Sequence, residues 1–238
     1  FSNTDIALVR EAARTLTNLS SGYHNHPSIL TGGGVQAFLL GCAKQDAMTS
    51  RFSCLGLMNL ATNPENHTEL MRAEICSVLI DLSAGAHRPM VILDSMGDDL
   101  GEDAVPDSPR TEKDFSFIQE FKYDLETRRY AALALGNLGV QADNHSVLMG
   151  EKCLKALGSC LDAPDDETRF NASFALAKLS INEDNLERLG SFEPALIPRL
   201  VDVISTAGHE AVGQAVACLR HMAMLSDNRI LMVDAKVL

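Results

Sequence analysis

A short sequence word returns along this chain at a nearly constant interval, and this repetition restricts the fold more than any other feature. In the word, a leucine stands two residues before a central position and an apolar residue stands one after it. The clearest copy is at 131–138, where Leu135 and Leu138 flank Asn137. The central positions, which we call anchors, are Asn18, Asn59, Asn137, Lys178 and His221. They lie about 41 residues apart, except for one interval that is longer by about 37 residues.

A second series of residues keeps the same register, because an asparagine stands seven residues after every anchor. These marker asparagines are Asn25, Asn66, Asn144, Asn185 and Asn228. Within each unit, the positions six before, two before and one after the anchor are small or apolar, as in Ala131, Leu135 and Leu138. That spacing forms one face of an α-helix. A period of about 40 residues built from helices predicts an α-solenoid.

These words and their spacing resemble the armadillo repeat family, in which a unit has two shorter helices and a long third helix ending in an A-L-x-N-L-like sequence. The segments 64–67 and 70–73 are similar to a first helix and its exit, 34–40 is similar to a second helix, and 131–138 is similar to the end of a third helix. The last segment is most similar to the vacuolar-tether and β-catenin-like branches. The resemblance covers the whole chain and implies an all-α, right-handed α-solenoid with about three helices per repeat.

We therefore predict one continuous array over residues 1–238. The units are expected at about 1–20 (partial), 22–61, 62–139, 141–180, 181–225 and 227–238 (partial). Asp46 is a candidate helix cap, and Asp165 opens another helix, where the helix dipole favours acids. Because the ends of a solenoid need polar capping units, an array that begins and ends within a unit is expected to be a segment of a longer protein.

The unit at 62–139 carries an insert, expected at about 85–120, between its second and third helices. Its first part is rich in aspartate, glycine and proline, which predicts an acidic loop, and its last part contains several phenylalanines. Ser108 precedes a proline and is a candidate phosphorylation site. One hypothesis is that the insert folds back on its own chain. The order of its acids does not match a calcium loop, and we predict no metal site.

The composition fits helices that pack through leucine and alanine, with 46% hydrophobic residues and no tryptophan. The net charge of -12 disfavours nucleic acid as a partner. No apolar run approaches the roughly 18 residues of a membrane span, so membrane contact is expected only through other regions or partners. Six cysteines without metal-like spacing are predicted to be reduced core residues. These features favour a cytoplasmic protein.

The face opposite the apolar stripe is expected to carry the function. It contains each anchor and the positions four and eight residues before it. We call these residues the groove line: Arg10, Arg14 and Asn18; Arg51, Leu55 and Asn59; Arg129, Leu133 and Asn137; Phe170, Phe174 and Lys178; and Gly213, Ala217 and His221. The line contains no acid, although the chain as a whole is acidic.

In armadillo proteins this face lines a groove, and the anchor asparagines hold the main chain of an extended peptide. By this resemblance Asn18, Asn59 and Asn137 are predicted to bind a peptide, whereas Lys178 and His221 depart from the pattern. The alternative is that the asparagines only tie adjacent loops. Nuclear import receptors carry a tryptophan four residues before the asparagine, so the absence of tryptophan argues against that class. The arginines of the line predict a ligand that is partly apolar and acidic or phosphorylated.

We therefore predict a non-catalytic scaffold or adaptor that binds extended protein segments. No set of catalytic residues stands out, and no cofactor is predicted. His26, His67 and His145 are equivalent positions of different repeats, and helices packed about 8–10 Å apart hold them too far from each other to share a metal ion. The alternative is a structural component of a cytoskeletal or ciliary assembly, in which the groove is incidental or is occupied by the insert.

Overall fold

The computed structural model describes residues 6–44, 46–85, 125–193 and 195–235. Within these ranges the chain forms α-helices and short 3-10 turns but no β-strand. The predicted insert at 85–120, with Ser108 and its phenylalanines, lies outside the described residues apart from residue 85.

The helices follow one another in a regular order. The long third helices are α1 (Ile6–Ser20), α4 (Ala47–Ala61), α7 (Leu125–Leu138), α10 (Asp166–Leu179) and α13 (His209–Met222). The short first helices are α2 (His26–Thr31), α5 (His67–Arg72), α8 (His145–Leu148), α11 (Leu186–Ser191) and α14 (Ser226–Asp234). The second helices are α3 (Gly34–Cys42), α6 (Ile75–Ser83), α9 (Glu151–Leu161) and α12 (Leu196–Thr206). The prediction of an all-α fold with about three helices per repeat is confirmed.

Aspartates start two of the third helices, as the sequence predicts. The carboxylate of Asp46 accepts the backbone N–H of Thr49 at 2.9 Å, and that of Asp165 accepts the backbone N–H of Thr168 at 2.9 Å. Both threonine hydroxyls donate to the same carboxylates. These are side-chain N-caps, which satisfy amide groups that a helix leaves open at its first turn.

The predicted apolar stripe lies in the core in α4, α7, α10 and α13, whereas in α1 Leu16 is half-buried and Leu19 is 48% exposed. Leu135 and Leu176 are 1% and 0% exposed, and the equivalent stripe residues of the neighbouring units are buried with them. The residue three positions before the anchor is Gly56 in the second unit, and a Cβ there would lie 2.2 Å from the ring of Phe38, so the close packing of these helices requires a small residue. Each third helix packs against the next one in the chain, from α1 through α4, α7 and α10 to α13.

The marker asparagines form a buried seam between neighbouring units. Each one donates to the carbonyl oxygen six residues earlier, at the end of the third helix that precedes it in the chain. The acceptors are Leu19 for Asn25, Leu60 for Asn66, Leu138 for Asn144, Leu179 for Asn185 and Met222 for Asn228, at 2.8–3.0 Å. These contacts satisfy carbonyl groups that a helix leaves open at its last turn. We call the asparagines and the residues that follow them the asparagine seam.

Histidines link the units of the seam. The ring Nε2 of His26, His67 and His145 lies 2.8–2.9 Å from a carbonyl oxygen six residues earlier, so this nitrogen carries the proton. Nδ1 of each ring then accepts the side-chain amide of the next unit's asparagine, for example Asn185 to His145 at 2.9 Å. Leu186 replaces the histidine in the next unit, and Asn228 donates to the carbonyl of Leu186 instead, at 2.9 Å. The histidines are thus structural links.

Candidate peptide-binding groove

The groove line is one accessible face that runs across five units. None of its residues is buried, and they range from half-buried, as in Leu133 and Asn137, to exposed, as in Asn18. Because the third helices that carry the line pack on one another in chain order, the predicted residues of neighbouring units lie side by side. The packing therefore brings the predicted site residues onto a continuous surface.

The four arginines of the groove line each pair with a carboxylate. Arg14 pairs at 2.6 Å with Glu11, one turn earlier in α1. The other three arginines reach acids at the start of the next third helix. Their pairs are Arg10 with Asp46, Arg51 with Glu126 at 3.0 Å, and Arg129 with Asp165 at 2.7 Å and with Glu167 at 3.0 Å.

The sequence predicts a basic groove, and these ion pairs show that this prediction is wrong. The line itself has no acid, but the acids beside it compensate much of the charge of its arginines. The sequence count omitted them because they belong to the first turn of the neighbouring third helix. They stand at fixed positions, eleven or thirteen residues before the anchor, so the repeat register was the signal that could have found them. Arg14 is the most exposed of the four, with 55% of its side chain accessible.

Two of the five anchors are used to tie neighbouring units. The side-chain amide of Asn59 donates to the hydroxyl of Ser20 at 3.1 Å, and Nδ1 of His221 lies 3.0 Å from the hydroxyl of Ser180. Both serines stand two residues after the preceding anchor, so the two contacts are equivalent. The alternative in which anchors tie adjacent segments therefore describes Asn59 and His221.

Asn137 and Lys178 lack that tie. Ala61 and Gly139 stand where the other units have serine, so no hydroxyl is offered to these anchors. Within the described residues, the side chain of Asn137 has no hydrogen-bond partner. Its amide is half-buried and keeps both a donor and an acceptor for a ligand.

An aromatic pair follows Asn137 along the groove line. The rings of Phe170 and Phe174 are 6.3 Å apart with their planes inclined by 18°, and Nζ of Lys178 lies 5.0 Å from the centre of the Phe174 ring. Phe174 rests on Gly136 of the preceding unit, where a Cβ would lie 2.5 Å from the ring. Both rings are half-buried, so the middle of the groove line offers apolar surface beside a free amide.

His221 is the last residue of the groove line, and its pKa is lowered. Burial lowers the pKa of this histidine, and the nearby cations Arg220 and Lys178 lower it further, although a hydrogen bond to the backbone carbonyl of Ala177 acts in the opposite direction. A lowered pKa favours the neutral imidazole at pH 7. Both ring nitrogens have partners in the chain, Nδ1 with the hydroxyl of Ser180 and Nε2 with the guanidinium of Arg220.

The described residues contain no group of three histidine, cysteine or acidic side chains close enough to hold a metal ion. All six cysteines are buried and none forms a disulfide, so the prediction that they are core residues is confirmed. Burial raises the pKa of the Cys42 and Cys218 thiols to about 12. No helix within the described ranges is long and apolar enough to cross a membrane.

The fold is shared with solved armadillo solenoids. A designed armadillo repeat protein in complex with the peptide (KR)4 aligns with a TM-score of 0.72 at 18% identity, over 99% of this chain and 84% of that one. Computationally designed armadillo repeat proteins for modular peptide recognition align with a TM-score of 0.72 at 19% identity, over 96% and 82%. An engineered protein aligns with a TM-score of 0.75 at 17% identity, over 100% and 84%.

These likenesses identify the class of the protein as an armadillo-type α-solenoid. The predicted resemblance is thus confirmed at the level of the fold, while the vacuolar-tether and β-catenin-like branches stay a prediction. No protein-family model and no curated protein matches the sequence.

Proposed function

We propose that this protein is a non-catalytic scaffold that binds extended peptide segments of other proteins along the groove line. The observation that carries the proposal is the half-buried amide of Asn137, which has no hydrogen-bond partner within the described residues. The ring of Phe174 rests on the adjacent Gly136, and Phe170 packs on Phe174. An amide with both a donor and an acceptor suits the main chain of an extended peptide, and the rings suit its apolar side chains. Armadillo designs of the same fold bind peptides, as one does with (KR)4.

The proposed ligand has one acidic or phosphorylated residue near the first unit. Because Arg51 and Arg129 are tied into ion pairs between helices, an acidic ligand would have to displace their partners. Arg14 pairs only with a residue of its own helix and is half-exposed, so its guanidinium can turn to a ligand at low cost. We therefore limit the predicted acidic contact to Arg14 and place the apolar contacts at Leu133 and Phe174.

A cytoplasmic location belongs to the same proposal, with the cytoskeleton or a cilium as the alternative. The six reduced, buried cysteines support a reducing compartment. Nucleic acid is not a proposed partner, because the net charge of -12 repels phosphates.

The test is a selection of random 12-residue peptides against the whole 238-residue chain. Enriched peptides should lose at least about tenfold in affinity for an Asn137→Ala, Phe174→Ala variant, because groups at the centre of a binding surface dominate its affinity. Tyr23→Ala is the matched control, since Tyr23 is an exposed aromatic that lies off the groove line. Circular dichroism establishes that all variants are folded. If no peptide is enriched, or if enriched peptides ignore both substitutions, the groove is not the binding surface.

A further inference from the structure

The junction between α10 and α13 differs from the three junctions that precede it. At those three, an arginine eight residues before the anchor reaches an acid at the start of the next third helix. At the fourth junction, Phe170 stands at the arginine position. Gly208 stands where α4 and α10 have a capping aspartate, and it gives no side-chain cap. The fourth junction therefore lacks both the arginine and the capping aspartate of the earlier junctions.

One acid of the pattern is nevertheless kept at this junction. Glu210 stands eleven residues before the anchor, which is the position of Glu126 and Glu167 in the two preceding units. Each of those glutamates pairs at 3.0 Å with an arginine of the preceding third helix. The side chain of Glu210 is exposed and has no ion pair or hydrogen bond within the described part of the chain. Glu210 is thus a carboxylate at a position that pairs with an arginine in the earlier units, and Phe170 stands here in place of that arginine.

An open cavity of about 440 Å³ lies at this place. It is lined by Phe170, by the carboxylates of Asp166, Glu167 and Glu210, and by the first turn of α13. Asp166 is already engaged, since it pairs with Arg169 and accepts the backbone N–H of Gly208. Glu167 is shared with Arg129. The side chains left for a ligand are the carboxylate of Glu210, the half-buried ring of Phe170 and the exposed imidazole of His209.

Ser173 adds an unused polar group to the same junction. It is 0% exposed, and its hydroxyl has no hydrogen-bond partner among the described residues. It occupies the register of Cys54, whose thiol lies 3.5 Å from the carbonyl oxygen of Thr127 in the next third helix. The residue equivalent to Thr127 is Ala211, which lines the cavity.

We propose that the cavity binds an arginine side chain of the peptide held on the groove line, a proposal that rests on the function proposed above. The guanidinium stacks on Phe170 and pairs with Glu210, as arginines of this chain pair with Glu126 and Glu167. The ligand then supplies in trans the arginine that the earlier junctions contain in cis. Arginine is favoured over lysine because a planar guanidinium stacks on an aromatic ring and donates two parallel hydrogen bonds to a carboxylate.

The local charge favours a cation at this junction. The carboxylates around it belong to Asp165, Asp166, Glu167 and Glu210, and the guanidinium groups that face them belong to Arg129 and Arg169. Acids therefore outnumber bases, and a bound guanidinium reduces the excess.

The probe for this site is N-acetyl-arginine N-methylamide, titrated into the whole chain and followed by proton–nitrogen NMR. We expect saturable shifts of the backbone amides of Gly208, Glu210 and Ala211. The lysine analogue should bind more weakly, and the citrulline analogue, which keeps the shape without the charge, should not bind. Equal shifts with the citrulline analogue, or no saturable shift with the arginine probe, would overturn the proposal.

Two variants sharpen the result. Glu210→Gln should weaken the probe about tenfold, because a charge-assisted hydrogen bond is lost. Phe170→Arg should abolish binding, because it supplies the guanidinium within the chain. Glu187→Gln, an exposed acid on α11, is the matched control and should leave binding unchanged. Unchanged affinity in Glu210→Gln contradicts the proposal whether or not Phe170→Arg folds.

The probe experiment tests the arginine site and the peptide selection tests the groove, so a negative result in one does not decide the other. Probe binding that depends on Glu210 supports the cavity even if no long peptide is enriched, in which case only the proposed function is lost. Enriched peptides that lack arginine and ignore Glu210→Gln would keep the groove and overturn the arginine site.

Discussion

The asparagine seam and the groove line repeat with the same period but differ in how their members are used. In the seam, each marker asparagine makes the same hydrogen bond to a carbonyl oxygen six residues earlier, and each is at least half-buried. In the groove line, the anchors are accessible and their contacts differ from unit to unit. Asn59 is tied to the preceding unit, Asn137 has no side-chain partner within the described part of the chain, and Lys178 lies over an aromatic ring.

The difference separates what holds the array together from what is left for a ligand. A buried carbonyl at a helix end needs a donor in every unit, so the marker asparagine cannot vary without a loss of stability. An accessible anchor carries no such requirement, so its residue type can be adapted to a partner one unit at a time. The variable positions are therefore the better indicators of function in this chain.

The largest effect is expected when the seam is broken. Asn185→Ala removes the donors for the carbonyl of Leu179 and for Nδ1 of His145, which lie at 2.8 and 2.9 Å. Two buried acceptors would lose their partner, so the free energy of unfolding should fall by about 2–4 kcal/mol. Urea unfolding measures this change.

Asn18→Ala is the matched control for the seam, because it removes an exposed asparagine of the groove line. Its free energy of unfolding should change by no more than about 0.5 kcal/mol. Equal losses in the two variants would show that the seam has no special part in stability.

Phe174→Ala is expected to reduce stability less than Asn185→Ala does, and to weaken peptide binding. The ring is half-buried on Gly136, so its loss should reduce the free energy of unfolding by about 1 kcal/mol. The affinity for a selected peptide should fall about tenfold, because aromatic anchors dominate such surfaces. Fluorescence anisotropy with a labelled peptide tests the second value. A variant that loses stability and keeps its affinity would remove Phe174 from the binding surface.

The smallest effect on the free energy of unfolding is expected when the pH is lowered, because acid weakens the ion pairs that join third helices. Burial tends to raise the pKa of Asp165, but hydrogen bonds from Thr168 and Arg129 outweigh it, so the folded pKa is lowered. The stabilisation is then complete above the unfolded pKa of about 3.9 and is lost as pH falls through the lower folded pKa. The free energy of unfolding should decline below about pH 4, and less steeply in Asp165→Asn.

Asp202→Asn is the control for the acid experiment, since Asp202 is exposed on α12. It should keep the slope of the unmodified protein. A slope that is the same for all three proteins would show that the Arg129–Asp165 pair does not contribute to stability.

The sequence predicts local and periodic features well in this fold. Asp46 as a helix cap and Leu135 as a core residue follow from spacing within one helix. The partners of the contacts between units were not predicted, because they depend on how far one helix is shifted along the next. The spacing shows neither Asp165 as the partner of Arg129 nor Ser20 as the partner of Asn59, although a tie to an adjacent segment was the stated alternative for the asparagines. The turn at Glu74 was not predicted either, since this residue has φ of 57° where the preceding unit has Gly33.

The most direct test compares two asparagines that stand seven residues apart, Asn137 on the groove line and Asn144 in the seam. The free energy of unfolding and the affinity for one selected peptide are measured for Asn137→Ala and Asn144→Ala. We expect Asn144→Ala to lose about 2–4 kcal/mol of stability and, while folded, to keep its affinity. Asn137→Ala should keep its stability and lose affinity about tenfold. If Asn137→Ala loses stability and keeps its affinity, the groove line is a structural face and the account is contradicted.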